Sequence, residues 1–132
     1  MKKGYKENIE QKTLENTNFR HVLYTGEEMQ LVLMSLLPGE DIGEEVHNEN
    51  DQFFRFEAGF GKVVINDNEY EVADGDVVIV PKGAKHNVIN TGSISLQLYT
   101  IYCPAHHKDG IIRETKQDAM DNEEEFDGVT TE

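Results

Sequence analysis

Two histidines, a glutamate and a glutamine carry the chemistry open to this chain. Glu45 and His47 stand two apart, and residues two apart on a β-strand share a face. After the loop 48–51, the run Gln52-Phe-Phe-Arg-Phe56 alternates, so Gln52 faces the same side as Phe54 and Phe56, and Arg55 faces outward. His86 opens another run after a Gly-containing turn. If these faces meet, a carboxylate, two imidazoles and an amide oxygen converge from three strands. Nitrogen and oxygen donors of this kind are ordinary ligands for zinc, iron or manganese, and a two-histidine, one-carboxylate set leaves positions open for water or substrate. Gln52 is the weakest donor of the four. Glu45 has a second candidate role as a general base.

Short runs of β-branched and aromatic residues must position these groups. Residues 20–24, 29–37, 44–47, 52–56, 62–65, 69–72, 77–80, 86–89 and 96–102 are predicted as strands, separated by Gly, Pro and Asn turn signals such as Pro38-Gly39, Asn66-Asp-Asn68 and Asn90-Thr-Gly92. Pro81 ends the run Val77–Val80, because proline donates no ladder hydrogen bond. This pattern implies an all-β barrel or sandwich. Residues 7–16 fit either a short helix or an extended arm, and residues 118–126 fit a frayed helical turn.

The chain has 132 residues, enough for one domain with a packed core, and 37% of them are apolar. Its formal charge of −14 argues against nucleic-acid and anionic-membrane partners. No apolar run is long enough for a membrane span, and the first residues do not read as a secretory signal. Cys103 is the only cysteine, so no internal disulfide forms, which fits a cytoplasmic setting. From Glu114 to Glu132 eight acids face Lys116 alone, a net of −7, and this segment reads as a solvated, mobile appendage. The expected layout is an N-terminal arm over 1–18, a barrel over 19–113 and an acidic tail over 114–132.

Gly75, Pro81, Gly83, His86 and Asn90 match the second cupin motif, G-x5-P-x-G-x2-H-x3-N, at every fixed position. The first motif, G-x5-H-x-H-x3,4-E-x6-G, keeps its spacing through Gly39, Glu45, His47, Gln52 and Gly59. Here Glu45 stands for the first histidine and Gln52 for the glutamate. The chain thus resembles the small cupins. The resemblance implies an all-β, single-domain double-stranded β-helix, a jelly-roll-like barrel. It implies a divalent ion (zinc, iron, manganese or nickel) at Glu45, His47, Gln52 and His86, and it implies a homodimer.

Three functions follow as expectations: a metal-dependent isomerase, cyclase or dioxygenase acting on a small molecule; a non-catalytic small-ligand binding module; or a barrel whose metal site is degenerate. No inward arginine or lysine is assigned, which counts against a phosphosugar substrate. Cys103, His106 and His107 form a disfavoured second metal set, with Cys103 read as a packed or partly covered thiol. Lys82 and Lys85 are placed at the solvent-exposed turn.

Overall fold

Along strand after strand, every second residue turns away from solvent. β2 (Gln30–Leu36) buries Gln30, Val32, Met34 and Leu36; β4 (Asp51–Ala58) buries Gln52, Phe54 and Phe56. β8 (Lys85–Asn90) buries His86, Val88 and Asn90, and β9 (Leu96–Cys103) buries Leu96, Leu98, Thr100 and Tyr102. A period of two is what a sheet with one packed face requires. The computed structural model describes residues 1–132 and joins these strands into two antiparallel sheets.

The larger sheet runs β10 (Ile112–Arg113), β1 (Arg20–Thr25), β2, β9, β4, β7 (Val77–Val80). The smaller runs β3 (Glu45–Val46), β8, β5 (Phe60–Ile65), β6 (Asn68–Ala73). Neighbours distant in sequence, such as β2 with β9 and β4 with β7, give the double-stranded β-helix rather than a meander. All nine predicted runs are strands, although the third shrinks to two residues and leaves His47 just beyond its end. Two-residue β10 has no signal in the sequence.

Register sorts the interior into rows. Gln30, Tyr102 and Gln52 lie side by side across the larger sheet; Val32, Thr100 and Phe54 form the next row, then Met34, Leu98 and Phe56. On the smaller sheet Glu45, His86 and Ile65 form one row, with Val88 and Val63 in the next. The barrel is therefore polar at one end and apolar at the other. Phe54, Phe56, Leu36, Leu96, Leu98 and Val88 pack the closed end.

Two glycines of the motifs are required by local geometry. Gly83 has φ +86 in the turn before His86, and its N–H donates to the His47 carbonyl at 2.9 Å, so this turn also ties the two motifs together. At Gly59 (φ +92) a Cβ would sit 2.6 Å from the Ser95 carbonyl oxygen. Asn90 is a latch: its amide donates to the carbonyls of Leu36 and Ile94, and its oxygen accepts from Gly92 N–H.

Both chain ends differ from a picture of loose extensions. Residues 9–15 form a helix, α1 (Ile9–Glu15), capped at its start by Asn8; its last carbonyls accept from the Gln97 amide. The acidic segment expected as a solvated appendage instead returns to the barrel. α2 (Lys116–Asp121) is capped by Thr115 and buries Ala119; Lys116 pairs with Asp41. Beyond it, Phe126 N–H donates to the His106 carbonyl and Thr131 N–H to the Thr25 carbonyl. Backbone hydrogen bonds, buried Ala119 and the pairs of Lys116 and Glu124 anchor the segment, while most of its acids remain at the surface, so composition alone misreads it.

Candidate metal centre

Each proposed donor owes its place to a local rule. Glu45 and His86 are direct cross-strand partners, which brings their side chains together on one face. His47 follows Glu45 by two residues, and Gly83 holds its carbonyl. One donor atom from each of Glu45, His47 and His86 lies within 4.8 Å of the others. The sequence expectation of a converging carboxylate and two imidazoles is met. Both histidines are buried and Glu45 is partly covered.

Protonation states suit ligation. His86 Nδ1 lies 3.0 Å from the Ala84 carbonyl, an acceptor only, so Nδ1–H donates there and the Nε2 lone pair is left bare. Burial pushes the His86 imidazole below its ordinary value, which keeps it neutral. For Glu45, burial alone would raise the carboxyl, but His47 beside it and the charge of Arg20 outweigh that and hold it below the usual carboxylate range. His47 Nε2 is 2.8 Å from Glu45 Oε2, yet no hydrogen bond is aligned between them.

Gln52 lies on the opposite sheet, at the polar row. Its amide nitrogen donates to Thr100 Oγ1 at 2.9 Å, while its Oε1 is buried with no partner. A buried acceptor left unpaired costs about 1–3 kcal/mol. Two orphaned polar atoms, His47 Nε2 and Gln52 Oε1, thus accompany an oxygen and nitrogen donor set. That combination fits a divalent cation.

A second polar layer surrounds these donors, and the sequence reading missed most of it. Tyr102, His107 and Glu124 form a chain. His107 Nδ1 is 3.1 Å from Glu124 Oε1, and its Nε2 is 3.1 Å from the Tyr102 hydroxyl. Because the carboxylate only accepts, Nδ1 carries the proton and Nε2 accepts from the phenol. Burial, then the Glu45 charge, holds the Tyr102 phenol well above its ordinary range. Burial lowers His107, and it pushes His106, with help from His107 and His47, down to about 4. Gln30 clamps this pair of histidines: its oxygen accepts both backbone N–H groups, and its nitrogen donates to the His107 carbonyl.

Arg20 is an inward cation that the strand reading leaves unassigned. It is 9% exposed and lines a cavity of about 650 Å³ together with Glu45, His106 and His107. Strand alternation held the signal, since Arg20 shares a face with buried Val22. By the same rule Tyr102 shares a face with Leu98 and Thr100. His106, His107 and Glu124 lie outside regular alternation and carry no such signal. The disfavoured second metal set does not assemble: of the packed and partly covered readings of Cys103 the packed one is overturned, since the residue is exposed, while His106 stacks against Tyr102. Arg55 is outward, as expected, and reaches Glu57 at 2.8 Å. Lys82 and Lys85 are exposed.

Comparison with known proteins agrees with this architecture. Residues 32–102 match the family described as "Cupin domain". An uncharacterized protein, YrkC, of Bacillus subtilis is 45% identical over 119 residues, covering 86% of this chain and 64% of YrkC. The chain thus spans under two thirds of that relative. An uncharacterized protein of Acanthamoeba polyphaga mimivirus is 40% identical over 112 residues, covering 82% of this chain and 70% of its own length. The crystal structure of BH2720 from Bacillus halodurans superposes with a TM-score of 0.89 at 42% identity, covering 91% of this chain and 96% of that one. Matched motifs, strand order and relatives agree, and the chain belongs to the cupin family.

Proposed function

We propose that this protein binds a divalent metal ion through Glu45, His47 and His86, with Gln52 as a fourth donor, beneath a cavity that receives a small molecule. The observation that carries this reading is the grouping of three donor atoms within 4.8 Å, with His47 Nε2 among them buried and without a hydrogen bond; the unpartnered Oε1 of Gln52 on the facing sheet supports it. Zinc, iron, manganese and nickel all suit such a donor set. When bound, the ion supplies Lewis acidity that polarises a substrate oxygen. The chain's own groups do the rest. Ala84 fixes the His86 tautomer, Glu45 stays anionic at neutral pH, and Tyr102 stays a neutral phenol positioned by His107. Metal-dependent isomerisation, cyclisation and dioxygenation all fit this arrangement. If Glu45 does not ligate, it is the candidate general base.

Metal analysis of purified protein tests the proposal. Wild type is expected to carry near-stoichiometric metal after loading and desalting, and the double variant His47→Ala, His86→Ala essentially none. Full metal content in that variant removes the site. Self-association belongs to the same reading: Phe60 and Ile79 are exposed, and a homodimer would cover such residues. Sedimentation would show a monomer if that part is wrong. A cytoplasmic setting and the absence of nucleic-acid and membrane partners complete the reading, on the free thiol and the charge of −14; no helix is long and apolar enough to cross a membrane.

A further inference from the structure

Arg20 is a buried cation with too few partners. It is 9% exposed, yet its guanidinium makes no hydrogen bond, and its Nε is buried with none. Its nearest acid is Glu124, whose Oε1 lies 3.8 Å from Nη1, an ion pair without a hydrogen bond. Glu124 is already engaged elsewhere. Its Oε1 accepts from His107, and its Oε2 lies 3.3 Å from Arg113 Nη2. One carboxylate thus serves two arginines; Glu45 feels the Arg20 charge without a hydrogen bond to it, and the guanidinium carbon lies 5.5 Å over the Phe19 ring, so the guanidinium's own donors stay unused. Desolvating a guanidinium without hydrogen bonds is expensive, and a chain that retains one has a use for its donors.

The cavity that Arg20 lines also reaches Glu45, and it has apolar walls at Phe19, Ile42 and Met120. We infer that this cavity binds a small organic monocarboxylate, whose carboxylate takes the unpaired donors of Arg20 and whose body packs against Phe19, Ile42 and Met120. A planar carboxylate matches the guanidinium fork. A phosphate dianion is disfavoured further than a monoanion, because Lys116, the other cation of the cavity, is paired with Asp41, and Glu45, Glu123 and Glu125 also stand on the lining. The inference rests on the reading of this cavity as the ligand site, but it does not require the metal.

Thermal unfolding of the full chain tests it, at constant ionic strength, with propionate and lactate up to about 100 mM beside propionamide, lactamide and inorganic phosphate. Wild type is expected to show a saturable upward shift with the acids and none with the amides. Arg20→Gln should weaken the acid response about ten-fold or more while its melting temperature without ligand stays level or rises. Arg20→Lys, which keeps the charge but loses the fork, should give an intermediate response. Equal shifts from the amides, a stronger response to phosphate, no saturable shift in wild type, or an unchanged response in Arg20→Gln would each overturn the inference. So would a marked loss of ligand-free stability in both Arg20 variants, which would make Arg20 a structural ion pair. The acid-against-amide contrast in wild type holds the test even if Arg20→Gln fails to fold. Wild type treated with a chelator and desalted keeps the propionate shift, so loss of metal and loss of carboxylate binding sink separate claims.

Discussion

The two ends of the barrel are built from the same strands and obey opposite rules. On β4, inward positions read Gln52, Phe54, Phe56; on β9 they read Leu96, Leu98, Thr100, Tyr102. One step of two residues passes from dense apolar packing to a layer of imidazoles, amides and a phenol. At the closed end the buried side chains are mainly apolar, and the polar Asn90 among them has its hydrogen bonds made. At the mouth, buried atoms on Arg20, His47 and Gln52 have no hydrogen-bond partner. The closed end therefore holds the fold, and the mouth spends some of that stability on keeping donors free for something that is not protein.

The largest expected effect attacks the closed end. Phe56 is fully buried and stacks with Phe54 at 6.4 Å between ring centroids. Phe56→Ala should lose about 3–5 kcal/mol in urea unfolding, through lost transfer energy and a cavity, while the folded fraction still binds metal. If metal loss instead tracked this variant at full folding, the two ends would not be separable. Next comes Gln52→Leu at the mouth. Removing an unpaired buried oxygen should leave metal-free stability within about 1 kcal/mol of wild type, yet weaken metal binding about 10-fold or more in a chelator competition. A large stability loss with unchanged affinity would make Gln52 purely structural.

A smaller effect is set by pH. His106 has its pKa lowered from 6.5 to about 4 by burial and by His107 and His47. The unfolded chain then binds more protons than the folded one between those values, so metal-free stability falls as pH drops from 6.5 toward 4. Glu45 and Glu124 are held below 4.5, so their stabilising contribution is lost only at lower pH. His106→Gln should reduce the slope of the upper window, to which the lowered His86 and His107 also contribute, and leave the lower one; an unchanged profile over pH 4 to 6.5 contradicts the placement of His106. The smallest effect is at the rim. Lys116→Ala removes a partly exposed pair with Asp41 and should cost no more than about 1 kcal/mol. A larger loss in calorimetry would show that α2 is integral to the mouth.

Much of this layout is legible without coordinates, for a local reason. Strand alternation, a proline that ends β7 and a glycine at positive φ before His86 are properties of neighbouring residues, and they place Glu45, His47, Gln52 and His86 on inward faces. Alternation also held Arg20 and Tyr102, although an arginine beside Val22 is easily taken for a solvent-facing charge. The acidic segment illustrates the opposite case: its composition resembles that of a disordered tail, whereas its anchors are a few backbone hydrogen bonds and the side-chain pairs of Glu124 and Lys116, whose partners lie outside it.

The sequence by itself determined the strands, the turns between them and the donor types that share the barrel's interior, because those depend on spacing along one stretch of chain. Only the tertiary structure decided that Arg20 from the first strand, His106 and His107 from beyond the last long strand, and Glu124 from the tail gather around the same cavity. Their meeting follows from closure of the barrel and return of the C-terminal segment across its mouth. No local periodicity encodes contacts between residues drawn from opposite ends of the chain.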